Sequence, residues 1–166
     1  IGLIAAPRSA ESGDEMFYDL ALASRAAQAA YDNNWIMPEP PPSPNLTLVP
    51  GDGRVTLVWD DMPEDARDRF YPVAPALFNP HYVEQDFQGY KVYRSRTGQP
   101  GDWELLSQYD RMDGIVFEDT TVVESLRTRA MDAGLAYSYV DSMSLRLGFP
   151  YYYAVTSFDI NYLSGD

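Results

Sequence analysis

The side chains that could do chemistry in this chain are mostly carboxylates. Asp60, Asp61, Glu64, Asp65 and Asp68 crowd one stretch, and Asp110, Asp113, Glu118 and Asp119 another. Two carboxylates facing each other across a sugar can hydrolyse a glycoside. Carboxylate oxygens can equally ligate calcium, a hard cation. Neither stretch shows the Asp-x-Asp-x-Asp-Gly spacing of a calcium-binding helix-loop-helix. The reading adopted is solvated acids at strand ends. Calcium is the alternative, with Asp60, Asp61, Asp110 and Asp113 as candidate ligands.

Other chemistries lack their parts. The one histidine, His81, follows Asn79-Pro80, and no Gly-x-Ser-x-Gly elbow offers it a nucleophile. The absence of cysteine removes disulfides, thiolate zinc sites and cysteine nucleophiles together. No Gly-x-Gly-x-x-Gly or phosphate-loop pattern occurs, and Pro50-Gly-Asp-Gly53 is a turn. No catalytic and no cofactor-binding residue is therefore assigned, and the chain is expected not to be an enzyme. Asn45-Leu-Thr47 fits the glycosylation sequon, which matters only in a host that glycosylates. Tyr71, Phe78, Tyr82 and Tyr93 could stack on sugars if exposed; packing of their segment onto the domain is the reading adopted.

Net charge is -13 over 166 residues, which argues against nucleic acid and against an anionic membrane surface. Hydrophobic residues make up 45%, so a packed core is expected rather than bulk disorder. Ile1-Gly-Leu-Ile-Ala-Ala6 is too short to span a membrane and has no basic flank, and reads as the last strand of an upstream region.

Several elements would carry these side chains. Ser12 to Glu15 has capping-box spacing, and a helix is expected from about Asp14 to Asn33 with an apolar stripe through Phe17, Leu20, Ala27 and Tyr31. Residues 1–37 would close an upstream region, and Pro38-Glu-Pro-Pro-Pro-Ser-Pro44 would form a semi-rigid proline-rich linker. A third region, 45–166, reads as β. Strands are expected at Asn45–Val49, Arg54–Trp59, Phe87–Arg94, Trp103–Tyr109 and Leu135–Val140, with a short one at Ile115–Phe117 and a helical turn within Val122–Ala133. Asp52-Gly53 signals a hairpin. Met62–Asp86 and 110–135 are long insertions. The last strand is the clearest: Tyr151, Tyr153, Val155 and Ser157 alternate with Tyr152, Ala154, Thr156 and Phe158, after Gly148 and Pro150.

In order and spacing these pieces resemble a fibronectin type III domain. Pro44 stands before strand A, Val55-Thr-Leu-Val-Trp59 looks like strand B, Tyr90-Lys-Val-Tyr-Arg94 like strand C and Trp103-Glu-Leu-Leu106 like the next strand of that sheet. Leu145, Gly148 and Tyr151 are spaced like the family's E–F corner. The resemblance implies an antiparallel β-sandwich preceded by one helix, with the Tyr151 hydroxyl tied to backbone near Leu145. Phe87-Gln-Gly-Tyr-Lys-Val-Tyr-Arg-Ser95 and Tyr151-Tyr-Tyr-Ala-Val155 are similar to fibronectin-like modules of large exported bacterial proteins. The resemblance implies a non-catalytic structural or interaction module, extracellular or at the cell surface, that spaces domains, builds a fibre or sheath, or adheres. Its partners would be neighbouring domains, identical copies or surface polysaccharide, without nucleic acid or membrane insertion. The alternative is an accessory carbohydrate-binding domain of an exported hydrolase. The chain departs from the pattern in its two insertions and in lacking a candidate for the last strand before Asp166; that strand either lies beyond Asp166 or has its place filled by another segment or chain, and an unfilled place would leave strand F with an open backbone edge.

Overall fold

A computed structural model describes residues 21, 24, 25, 27, 28, 31, 32, 40–69, 71–72, 82–118, 127–143 and 145–159. The described part is mainly β, and its strands pair antiparallel. The strands are β1 (Leu46–Gly51), β2 (Arg54–Trp59), β3 (Phe87–Ser95), β4 (Trp103–Asp110), β5 (Val116–Glu118), β6 (Arg129–Met131), β7 (Ser138–Asp141) and β8 (Tyr152–Asp159). They form one sheet in the order β1-β2-β7, a second in the order β4-β3-β8, and the small β5-β6 pair.

The core explains why the two larger sheets exist. Leu57 and Trp59 from β2 pack with Phe87, Tyr90 and Val92 from β3 and Val155 from β8, and all six are buried. Along β2 the buried Leu57 and Trp59 flank the exposed Val58, so that strand turns one face inward, whereas β3 is buried on both faces from Phe87 to Tyr90. The Tyr90 ring lies 4.9 Å from Phe87 and 5.9 Å from Trp59, the latter edge-to-face. Two antiparallel sheets sharing one core is the arrangement of a β-sandwich. Gly89 sits beside a register shift between β3 and β8, where a Cβ would lie 2.0 Å from the Tyr109 carbonyl oxygen. Only glycine lets β4 and β8 close on β3 at that point.

The chain divides into a unit of Ile1–Glu39, Arg67–Glu84 and Asn161–Asp166 and a unit of Pro40–Ala66 and Gln85–Ile160. In the first, Ala21, Ser24, Arg25, Ala27, Gln28, Tyr31 and Asp32 have helical backbone. The rest of the expected Asp14–Asn33 helix, its capping box and the Ile1–Ala6 strand lie outside the described residues. In the same unit the Asp68 N–H donates to the Glu84 carbonyl at 2.8 Å, and Arg67 pairs with Glu84 at 3.3 Å. The second unit holds all eight strands. It begins inside the proline-rich stretch, where Pro41 and Pro44 are buried. The Ser157 hydroxyl on β8 reaches the Pro41 and Pro42 carbonyls, the latter at 2.9 Å.

One expected element is overturned over its described part, residues 122–126 lying outside the described residues. The described end of the expected helical turn within Val122–Ala133 is extended, because β6 pairs with β5, Val116 opposite Met131 and Glu118 opposite Arg129. Arg, Ala and Met favour helix locally, but pairing with β5 and anchorage to Asp110 outweigh that weak preference. The strand expected at Leu135–Val140 forms only over Ser138–Asp141. Among the described residues no strand follows β8, and none forms a helix long and apolar enough to cross a membrane.

Candidate functional site

The carboxylates singled out by the sequence are scattered and mostly engaged by the chain itself. Asp110, 2% exposed at the end of β4, accepts three successive backbone N–H groups, from Met131 at 2.8 Å, Asp132 at 2.6 Å and Ala133 at 3.2 Å. The same residue bridges to Gly134. Asp132 takes a positive φ of 56° there, and its carboxylate accepts the Gly114 N–H at 2.9 Å. Asp113 accepts the Ile115 N–H at 3.0 Å and lies 3.4 Å from the Gln88 amide nitrogen. Asp60 accepts the Asn45 backbone N–H at 3.0 Å and the Asn45 side-chain amide. These bonds, the side-chain one foremost, hold the Asp60 carboxyl below its ordinary value. Asp61 is exposed. Among the described residues no three His, Cys, Asp or Glu side chains gather where they could hold a metal ion. His81 lies outside the described residues.

A buried polar cluster between the two larger sheets was not singled out by the sequence. Asp141 on β7 is fully buried, and Arg94 on β3 reaches it with one nitrogen at 3.0 Å and 3.2 Å. The Tyr153 hydroxyl on β8 donates to the same carboxylate at 2.8 Å, and the Met143 N–H at 3.1 Å. Arg94 also bonds the Met143 carbonyl at 2.9 Å and Glu104 at 2.8 Å. Burial, then the bond to Asp141, raises the Tyr153 phenol above its ordinary range. This cluster ties the β7 sheet to the β3-β8 sheet. Its members are satisfied by one another, as buried ionised groups must be.

Further ties hold the turns. Asp102, in the β3–β4 turn, accepts from the Ser95 hydroxyl at 2.8 Å, the Thr97 hydroxyl at 2.7 Å, the Thr97 N–H at 2.8 Å and the Arg96 N–H at 3.0 Å. The Thr97 and Ser95 hydroxyls lead in holding its carboxyl at about 2. Glu64 accepts the Tyr90 hydroxyl at 3.0 Å and raises that phenol, with burial the larger cause. The Tyr151 hydroxyl accepts the Arg146 N–H at 3.0 Å, a tie to backbone beside Leu145. The Arg146–Phe149 turn it braces has Gly148 at φ 85°, the sign that a type II turn needs at its third residue.

The aromatics considered for sugar stacking separate. Tyr82 is 8% exposed and its hydroxyl donates to Asp68, so it offers no open ring face to a sugar. Tyr71 and Tyr93 are half-buried, and Phe78 lies outside the described residues. Phe158, on the outward side of β8 by alternation, is 5% exposed because Lys91 lies over its ring at 5.4 Å. The Lys91 ammonium also donates to Thr128, just before β6.

Exposed apolar side chains supply what the polar groups do not. Leu147 is 90% exposed and Phe149 64% on a turn that Tyr151 holds firmly. Val116 and Met131, paired across β5 and β6, are also exposed. Comparison with protein-family models, with curated proteins and with solved structures returned no match.

Proposed function

We propose that the chain is a non-catalytic structural and interaction module of fibronectin type III-like architecture, within an exported or surface-attached multi-domain protein. The observation that carries this reading is the state of the carboxylates. Asp110 and Asp141, buried at strand ends, accept three or more hydrogen bonds from their own chain over both oxygens, and Asp60 accepts one on each. A general acid or base must keep an oxygen free for the substrate proton, and a calcium ligand must turn its oxygens to the ion. Exposed apolar side chains offer a surface for contact: Leu147, Phe149 and the Val116–Met131 pair. The sheet orders β1-β2-β7 and β4-β3-β8 and the Tyr151 tie at the β7–β8 corner support the fibronectin-like part of the reading.

The test is surface shaving. Intact source cells are treated with a protease that cannot enter them, and the chain is followed by immunoblotting. Loss of the chain from intact cells, with a cytosolic marker spared, is expected. A chain that stays protected until the cells are lysed overturns the exported assignment.

A further inference from the structure

We infer that the Arg146–Phe149 turn between β7 and β8, together with Met143, is an insertion tip that docks the module on a zwitterionic phospholipid surface. This deepens the interaction-module reading by naming what it contacts, and rests on it.

The tip is apolar, and its backbone is fixed. Leu147 is 90% exposed, Met143 70% and Phe149 64%. The chain holds these side chains out rather than leaving them on a loose loop. The Tyr151 hydroxyl accepts the Arg146 N–H at 3.0 Å, and the Phe149 N–H closes the turn on the Arg146 carbonyl at 3.4 Å. The Met143 N–H donates to Asp141, and its carbonyl accepts from Arg94 at 2.9 Å. A segment tied in this way loses little conformational freedom when it docks.

The strand registers show what surrounds the tip. Val55 opposes Asp141, Ser95 opposes both Tyr152 and Trp103, and the Arg94–Asp141 pair joins the two sheets there. The β1–β2 turn, the β3–β4 turn and the tip therefore share one end of the sandwich. The exposed cations of the β unit, Arg54, Arg96 and Arg146, all lie at that end. Of the acids there, Asp141 and Glu104 pair with Arg94, Asp102 is bonded within its own turn, and Asp52 is exposed. Residues 142–158 contain no acid at all. Asp60, Asp61, Asp86, Asp110 and Asp159 stand at the opposite strand ends.

Layering and charge select a lipid surface as the occupant. Outermost are the three apolar side chains. Behind them come Tyr152, 47% exposed at the start of β8, and the three arginines. The unpaired acids lie mostly beyond. A bilayer interface has the same gradient: acyl chains, then headgroup phosphates where aromatic and arginine side chains settle, then water. A protein partner would need a pocket cut to three projecting side chains, whereas acyl chains close round them without a matching shape. The net charge of -13 opposes an anionic surface and a second copy of the chain, but a zwitterionic headgroup layer carries no net charge to repel it. The far-end acids are a strand length away. Eight residues of β8 span about 25 Å, roughly three Debye lengths at physiological salt, so those acids do not resist docking. Three inserted side chains give a weak, reversible attachment, of the order of a single acyl chain at about 10⁴ M⁻¹.

The test is cosedimentation of the whole chain with phosphatidylcholine vesicles. Binding near that constant is expected. Leu147→Ser/Phe149→Ser should weaken it by at least about tenfold, since each lost apolar side chain removes most of its transfer from water. Both positions are exposed, so the thermal melt of the double variant should match wild type. Phe149→Trp places a fluorophore at the tip, and lipids brominated on their acyl chains should quench it beyond any quenching of the wild-type chain. Replacing phosphatidylcholine by phosphatidylglycerol at low salt should weaken binding, because the charge of the whole chain is then felt. No binding to phosphatidylcholine, binding indifferent to the two serines, or no added quenching overturns the inference. A requirement for phosphatidylglycerol overturns the zwitterionic surface. Self-association that the two serines abolish, without vesicle binding, overturns it too and makes the tip a protein contact. All these outcomes are independent of the surface-shaving result, so lipid docking can fail while the module reading stands.

Discussion

Asp141 is a consequential position, because its carboxylate is paired with a guanidinium in the interior and removing its side chain withdraws an acceptor from three groups at once. Arg94, Tyr153 and the Met143 N–H all bond to it, and it is fully buried. Breaking a buried ion pair on one side typically costs about 3–5 kcal/mol, since the partner is left charged in a dry place. Arg94 is not wholly abandoned in Asp141→Ala: its side chain is 13% exposed and keeps Glu104 at 2.8 Å. The loss should therefore fall near the lower end, about 3 kcal/mol. Tyr153→Phe removes one hydrogen bond to a charged acceptor and should cost about 1.5 kcal/mol. The two changes share that bond, so the double variant should be less destabilised than the sum by about 1 kcal/mol. Urea unfolding followed by tryptophan fluorescence measures all three, with the transition midpoint falling and the slope unchanged. A loss below about 1 kcal/mol for Asp141→Ala, or strict additivity with Tyr153→Phe, would refute the clamp.

Three further predictions follow from single contacts. Gly89→Ala places a Cβ 2.0 Å from the Tyr109 carbonyl and 2.8 Å from Phe158; it should destabilise by about 3 kcal/mol or more in the same urea assay, because β4 and β8 must both move. Asp102 has its carboxyl lowered from 3.8 to about 2 when folded, so its stabilisation is complete above about pH 4 and disappears as pH falls through about 2; the melting-temperature gap between wild type and Asp102→Asn should be flat near neutrality and close across that window. Adding calcium or a chelator should leave the melting temperature unchanged within about 1 °C, because ligand binding raises stability only where a site exists; a clear calcium-dependent rise would restore Asp60, Asp61, Asp110 and Asp113 as ligand candidates.

What the sequence made legible was local. Alternation with β-branched and aromatic residues marked β2, β3, β4 and β8 close to their observed bounds, and Val155 lies in the core with Tyr153 packed against it. Glycine and proline marked the turns. What it hid was contact over distance. Arg94 and Asp141 are 47 residues apart, and nothing in either neighbourhood announces the pair. Asp110 reads as a solvated strand-end acid until the N–H groups of residues 131–133 close round it, 21 to 23 residues later. The same closure explains the misplaced helical turn, since Arg129-Ala-Met131 has helical preference and becomes a strand only through β5 and Asp110. Phe158 reads as solvent-facing by parity and is covered by the lone lysine of the chain, which alternation cannot foresee.

These non-local ties bear on why the chain is acidic. Solubility accounts for exposed acids such as Asp61, but Asp68, Asp86, Asp110 and Asp141 are all buried. A chain without cysteine cannot staple its long connections with disulfides. A carboxylate is the cheapest substitute, because it can accept several backbone N–H groups where a loop bends away from any ladder. Asp110 does this for the return from β6, and Asp141 does it across the two sheets with the help of Arg94. The acids divide accordingly into a solvated set that keeps copies apart and a buried set that holds the insertions. Converting the buried set to asparagine should therefore loosen the insertions, while neutralising exposed acids such as Asp61 should change association between copies and leave stability nearly untouched.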